Sequence, residues 1–410
     1  MPLQPSLTRR RFIKKTFGTA ATLSMTAAVA RGAPGANERI RIGAIGVGGQ
    51  GSALLRELAR LKDELNVQVV ALCDVWRVNL EARAKMVEEA FGVEPRKYTR
   101  FGDLLAEKDI DAVTIAVPDF AHGPILLAAL KADKDVYVEK PMCMTLAETN
   151  EALDLTRARK RVVQAGTNRR SWGIYKTARE VISSGTLGKI NRITSSVNFA
   201  GARWLRDYTN CKAEDVDWDA YLLNIPARPF DPKLLRRWHL YKELTLGIAG
   251  LWQVHLTDAV NMIAGTTYPT SAVTHGGTFI YTENREHCDT YHSLLVYPEG
   301  LLFSWSFSLG NTADNPFKLY GLRGTYDVDK CFLTGTGGVK DEQVEDKKLD
   351  QQPDTSHMGN WLECIRTREN PVADIDAAHQ HSVAAIMSTE ALETGCRQVY
   401  DPAKREIRPG

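Results

Sequence analysis

Apolar and polar positions change period repeatedly along the first 167 residues. Ile40–Ile45 is a short apolar run that leads into glycines, and 52–62 then returns to an apolar residue every third or fourth position. The alternation continues with strand-like 67–72, helical 78–91, strand-like 112–116, helical 123–131, strand-like 136–138, helical 145–159 and strand-like 162–165. Strands separated by single helices must run parallel, because each helix carries the chain back across the sheet. The spacing therefore predicts an α/β fold with a doubly wound parallel sheet.

The texture changes near residue 168. Ile190–Asn198, 291–297, Leu301–Ser308 and 317–320 are strand-like with few helices between them, and Pro298, Glu299 and Gly300 join two of these runs as a hairpin turn. Such clustering predicts an α+β second domain with a mixed or antiparallel sheet. The segment 341–350 is a charged, exposed excursion, and 361–368 and 377–393 read as closing helices. At 410 residues the chain is long enough for two cores.

The N-terminus has a different character. Thr8, Arg9, Arg10, Arg11, Phe12, Ile13 and Lys14 form a twin-arginine export signal, followed by a weakly apolar stretch from 16 to 29 and a small-x-small cleavage site at Ala28, Val29 and Ala30. The stretch is too short and too diluted by Thr, Ser and Gly to anchor the chain in a bilayer. These features divide the chain into a signal peptide (1–30), a linker (31–38), a nucleotide-binding domain (39–167) and a substrate and oligomerisation domain (168–410). The leader holds five basic residues and no acid, so its removal takes the formal charge from +2 to −3. A mildly acidic chain without a basic stripe argues against nucleic-acid binding. Seven scattered cysteines with no CxxC pair argue against a metal site, and Cys73 and Cys143, flanking apolar runs, read as buried.

The chemistry begins at Gly46, Gly48, Gly49, Gln50 and Gly51. This GxGxxG lies between a strand and a helix, the setting that makes it a dinucleotide-binding loop. Gly46 permits the tight turn, Gly48 leaves room for a pyrophosphate, and Gly51 lets helix and strand approach. The helix N-terminus adds unpaired N–H groups and partial positive charge. Asp74 stands 23 residues beyond Gly51, where a carboxylate accepts ribose hydroxyls and repels a 2′-phosphate. NAD is the expected cofactor, with NADP kept open by Arg77. The parallel sheet is thus of Rossmann type.

Residues 116–122 (AVPDFAH), then Glu139, Lys140 and Pro141, then 166–170 (GTNRR), then 184–189 (SGTLGK) resemble, in this order, the Gfo/Idh/MocA family of sugar and polyol oxidoreductases. The resemblance implies a Rossmann domain followed by a domain with a large open sheet that often mediates homo-oligomers. It implies that Pro118, His122, Glu139 and Asn168 pack against the cofactor, with a capping or surface role equally open for His122. It also implies that Lys140 works at the nicotinamide and substrate, and that Arg169 and Arg170 face the cleft, although either arginine equally suits a structural ion pair. Lys140 follows a strand at the carboxyl edge of the sheet, where an ammonium can hydrogen-bond a reacting hydroxyl.

His255 is the acid/base candidate, since removal of a hydroxyl proton must accompany hydride loss from a carbinol carbon. Substrate binding without proton transfer and a core role remain open for it. The family commonly places an aspartate four residues earlier, where this chain has Leu251; Asp258 is the nearest substitute. Trp252, Tyr241 and Trp238 offer flat faces suited to stacking on sugars or to packing. His357 and Asn360 read first as structural.

Cofactors are recycled in the cytoplasm, so export implies passage through the twin-arginine translocase in folded form, with the dinucleotide aboard, to the periplasm. The leading expectation is an exported oxidoreductase of carbohydrate or polyol hydroxyls with a retained, internally recycled cofactor. Redox-neutral glycoside cleavage or elimination, and a non-catalytic sugar-binding regulator, are the alternatives.

Overall fold

The computed structural model describes residues 38–283 and 285–410. The expected export signal at 1–30, and the expected linker apart from Glu38, lie outside these residues. Among the described residues no helix is long and apolar enough to cross a membrane.

The first half contains β1 (Ile40–Ile45), α1 (Gly49–Leu61), β2 (Val67–Cys73), α2 (Arg77–Phe91), β3 (Arg96–Tyr98), α3 (Phe101–Leu105), β4 (Ala112–Ile115), α4 (Asp119–Lys131), β5 (Asp135–Val138), α5 (Leu146–Arg159) and β6 (Val163–Ala165). Its six strands are all parallel in the order β3-β2-β1-β4-β5-β6, the doubly wound arrangement whose strand order reverses between β1 and β4. In α1 the buried Leu54, Leu55, Leu58 and Leu61 form one apolar stripe against the sheet. In α5 the Thr145 hydroxyl accepts the Glu148 N–H at 3.2 Å and caps the first turn.

Two helices start earlier than the apolar spacing predicts. The glycine-rich loop itself forms the first turn of α1, from Gly49 instead of 52. Pro118 caps α4, which begins at Asp119 instead of 123 and runs through Pro124. The short β3 and α3 were not predicted, because three to five residues are too few to show a period.

The second half opens with α6 (Gly173–Ser183), β7 (Ile190–Asn198), α7 (Trp218–Leu222) and α8 (Pro232–Arg236). A π-helical turn, Ala249–Gln253, then runs into α9 (Val254–Ala264). Next come β8 (Ser271–Gly277), β9 (Thr290–Tyr297), β10 (Leu301–Ser308), β11 (Phe317–Gly321), β12 (Thr325–Asp327), β13 (Phe332–Thr334) and β14 (Lys347–Lys348). The chain ends with α10 (His357–Thr367), α11 (Ile375–Thr394), β15 (Gln398–Asp401) and β16 (Glu406–Pro409). Ten strands form one open sheet in the order β14-β13-β12-β11-β7-β10-β9-β8-β15-β16. It is mixed, because β10 runs parallel to β7 while the other pairs are antiparallel. The β9–β10 hairpin pairs Tyr297 with Leu301 as the turn residues predict. β14, at the edge, lies in the exposed 341–350 segment and carries two lysines that discourage further pairing.

One face of this sheet is the core. Tyr291, Leu295, Phe303, Trp305 and Phe307 pack there against α6, α9 and α11. Among the described residues nothing covers the opposite face, which shows Val273, Leu294 and Val296 at 41–45% exposure. The last helices divide their allegiance. Met358, Trp361, Leu362 and Cys364 of α10 pack into the core of the parallel sheet together with Ile42, Leu55 and Tyr137.

Candidate functional site

The halves meet at a cleft of about 640 Å³ over the carboxyl ends of the parallel strands. Gly46, Gly48, Gly49, Gln50, Asp74, Pro118, His122, Glu139, Lys140, Asn168, Arg169, Trp252 and His255 all line it. Gly51, Arg170 and Tyr241 do not.

The glycines of the loop divide their work as the sequence predicts. Gly46 has φ +78°, and a Cβ there would lie 2.5 Å from the Ala116 carbonyl oxygen. A Cβ at Gly51 would lie 2.0 Å from the Gly46 oxygen, so Gly51 serves helix–strand packing behind the cleft. At Gly48 the nearest protein atom is Asn79 Nδ2 at 3.6 Å, which leaves a cradle at a helix N-terminus that no side chain caps. These residues fit a dinucleotide diphosphate. Gly48→Ala is expected to leave the melting temperature unchanged while weakening NAD binding. Gly51→Ala is expected to lower both, through about 1–3 kcal/mol of overpacking. Thermal melts and NAD titration of the two variants distinguish the roles.

Asp74 ends β2 with its carboxylate buried, Oδ2 accepting the Val47 N–H and Oδ1 the Trp76 N–H, each at 2.9 Å. Burial raises its pKa and these bonds oppose the rise. The residue therefore orders the loop as well as setting a negative wall for the ribose. Arg77, which kept NADP open, is paired with Asp215. Glu139 is buried at the end of β5, where Oε1 accepts Gln50 Nε2 at 2.8 Å, and a Cβ at Gly166 would strike its Oε2 at 2.6 Å. His122 lines the wall, but its Nδ1 is bonded to the Pro141 carbonyl at 2.7 Å, and burial lowers its pKa to about 4. It thus holds the turn that carries Lys140. Pro118 caps α4, and Asn168 is exposed at the cleft mouth.

Lys140 extends into the cleft and donates from Nζ to the Leu251 carbonyl at 3.1 Å. Leu251 itself is buried, so where the family places a carboxylate this chain offers main-chain oxygen from a π-helical turn. His255 lies one turn on, with Nδ1 buried and without a hydrogen-bond partner among the described residues. Burial, then Lys140 and Arg169, hold its pKa well below 6.5, so the ring is neutral at neutral pH. Trp252 stands 6.4 Å from the His255 ring and 5.0 Å from Phe199. Arg169 lines the cleft while resting on Trp172 and donating to the Tyr175 hydroxyl.

Two substrate-contact expectations are overturned. Arg170 is buried away from the cleft, and its Nε donates to Asp258 Oδ2 at 2.8 Å. Tyr241 lies beyond the 3₁₀ turn Trp238–Leu240, which presents Trp238 and His239 to the cleft in its place. Asp258 does not substitute for the missing family carboxylate either, since its other oxygen faces His381 Nδ1 at 3.2 Å. His357 is structural, bonded to the Ala165 carbonyl and the Ser171 hydroxyl, each at 2.9 Å, and Asn360 accepts the Val372 N–H.

Asp119, His239 and Arg206 also line the cleft, although the sequence alone gives none of them a role. Asp119, inside the AVPDFAH run, accepts the Thr245 hydroxyl at 2.6 Å, and burial pushes its pKa up to about 7 against the pull of Lys140. Its position at the start of α4, just beyond the carboxyl end of β4, is the available signal. His239 is stacked between Trp204 and Trp238, with ring centroids at 5.8 and 3.7 Å, and burial lowers its pKa well below 6.5. Arg206 reaches the glycine-rich loop from the second half. No sequence pattern marked the last two.

Residues 40–167 match the family described as "Oxidoreductase family, NAD-binding Rossmann fold". Inositol 2-dehydrogenase of Salmonella typhimurium is 33% identical over 151 residues, which are 37% of this chain and 43% of that protein. A glycosyl hydrolase family 109 protein of Stenotrophomonas maltophilia is 36% identical over 151 residues, 35% of this chain and 32% of that protein. The chain thus spans less than half the length of these relatives. The aldose-aldose oxidoreductase of Caulobacter crescentus, solved with glycerol, superimposes with TM-score 0.67 at 16% identity, covering 88% of this chain and 99% of that one. The WlbA dehydrogenase of Bordetella pertussis, solved with NADH and UDP-GlcNAcA, gives 0.67 at 19% identity, covering 90% and 99%. At these identities the two structures carry the fold, parallel sheet and open sheet together. Residues 40–167 thus match the NAD-binding Rossmann domain of the Gfo/Idh/MocA oxidoreductases.

Proposed function

We propose that this protein is an oxidoreductase acting on a carbohydrate or polyol hydroxyl with NAD held in the cleft. One observation carries the reading. A diphosphate cradle, an ammonium at the carboxyl edge of β5 and a neutral imidazole line the same cleft. The bound nicotinamide supplies the site that accepts or returns hydride. Lys140 hydrogen-bonds the substrate oxygen and stabilises the charge that develops on it. His255 accepts the hydroxyl proton, which its depressed pKa permits at neutral pH. Trp252, Trp238 and the stacked His239 form an aromatic wall suited to the apolar face of a ring. The names of the inositol dehydrogenase and aldose-aldose oxidoreductase relatives support a polyol or sugar substrate.

The leader at 1–30 supports export through the twin-arginine translocase to the periplasm, with the cofactor retained and recycled in place. The uncovered face of the ten-stranded sheet supports a homo-oligomer. A second reading, redox-neutral glycoside cleavage, is favoured by the glycosyl hydrolase relative and by Leu251 at the family's carboxylate position.

Native mass spectrometry of the protein recovered from cells is expected to show NAD travelling with an oligomer. Incubation with a polyol deuterated at its carbinol carbon should then place the label on the bound cofactor. An empty protein that takes up no NAD would sink the reading. Release of free sugar from a glycoside without label exchange into an acceptor would move it to the second.

A further inference from the structure

The segment 199–217 leaves the large sheet at Phe199, whose N–H donates to the Ser308 carbonyl, and crosses to the nucleotide-binding half. There Asp217 N–H donates to the Val75 carbonyl at 2.8 Å, Val216 bridges Trp76, and Asp217 pairs with Arg100 at 3.2 Å. The crossing is therefore anchored at the end of β2, beside Asp74. Between its two anchors Arg237 Nε holds the Arg206 carbonyl at 2.8 Å, and Arg236 Nε holds that of Asp207 at 3.0 Å.

Arg206 sits over the glycine-rich loop. A Cβ built on Gly49 would lie 3.9 Å from its Nη2. Among the described residues its guanidinium has no carboxylate and no hydrogen-bond acceptor, and the charge nearby is the like-signed Arg236. Arg236 itself is engaged, lying 4.7 Å over the Trp76 ring. The loop 46–51 contains no basic residue. A cation without a counter-ion therefore faces a helix N-terminus that lacks one of its own.

We propose that 199–217 is a strap closing over the cofactor, with Arg206 as the charge partner of its diphosphate, so that bound NAD is retained against dilution. This rests on the NAD reading above. The guanidinium fork matches phosphate oxygens bidentately, and its place on the second half makes the cofactor bridge both halves. Release then requires the strap to lift.

The test uses the full mature chain and compares ADP-ribose, which carries the diphosphate, with adenosine, which does not. Arg206→Ala is expected to raise the dissociation constant and the off-rate for ADP-ribose by about 10- to 100-fold. It should also flatten the salt dependence, leave adenosine binding unchanged, and let NAD escape on dialysis. Arg206→Lys should recover part of the loss, because it keeps the charge without the fork. Equal ADP-ribose binding by wild type and Arg206→Ala overturns the strap while leaving the NAD reading intact. Equal loss of adenosine and ADP-ribose also overturns it, since that marks damage to the loop. A wild type that binds neither NAD nor ADP-ribose removes the cofactor reading and the strap together.

Discussion

His255→Ala is expected to lower kcat for polyol oxidation by about 10²–10⁴ while NAD affinity stays unchanged. The imidazole suits the task because burial, Lys140 and Arg169 all disfavour its charged form, leaving a neutral base at neutral pH. The sign of the pH effect follows. A base must be unprotonated, and its pKa in the fold lies below the ordinary 6.5, so the acid limb of the rate profile should fall below that value. NAD titration of the variant controls for the integrity of the cleft. Unchanged turnover would remove His255 from the mechanism. The same experiment on His239 would then show whether the imidazole stacked between Trp204 and Trp238 takes the proton.

Arg170→Ala is expected to cost about 3–5 kcal/mol of stability with no effect on NAD binding. Arg170 and Asp258 are 13% and 0% exposed, and His381 completes the cluster. Burial alone would raise the Asp258 carboxyl, but the guanidinium and His381 hold it below its ordinary range. In the wild type this contribution is present above the unfolded carboxylate pKa and is lost only as pH falls through the lower folded value. In the variant the buried carboxyl keeps only His381 and loses the guanidinium that lowers its pKa most, so the penalty is largest near neutrality and shrinks as acid neutralises it. Melting curves should therefore differ by about 4–7 °C at neutral pH and converge on acidification. A neutral-pH difference within error, or one that widens in acid, would overturn the assignment.

The parallel sheet and the cofactor loop were legible because both depend on local rules. Ile40–Ile45 is a strand by its run of apolar residues, and the spacing of Gly46, Gly48 and Gly51 states what each must leave empty. The fate of Arg170 was not legible. Whether a cation meets substrate or a buried carboxylate depends on Asp258, 88 residues away on α9, and on His381 of α11. The π-helical turn that delivers the Leu251 carbonyl to Lys140 leaves no periodic trace in five residues. His239 and Arg206 belong to the irregular stretch between β7 and α9, where function comes from stacking and from the crossing between halves. Asp119 is open to such a reading, since it opens α4 just beyond the carboxyl end of β4, where ligands bind.

The nucleotide-binding core is finished by α10, from more than 190 residues beyond its last strand. Trp361, Met358 and Leu362 fill its interior, and Arg368 grips Asp135 through both carboxylate oxygens. Translation therefore delivers the sheet long before it delivers the residues that seal it. The ribosome must release nearly the whole polypeptide before the nucleotide-binding half is complete, and a fragment ending near residue 167 would expose an unfilled apolar seam.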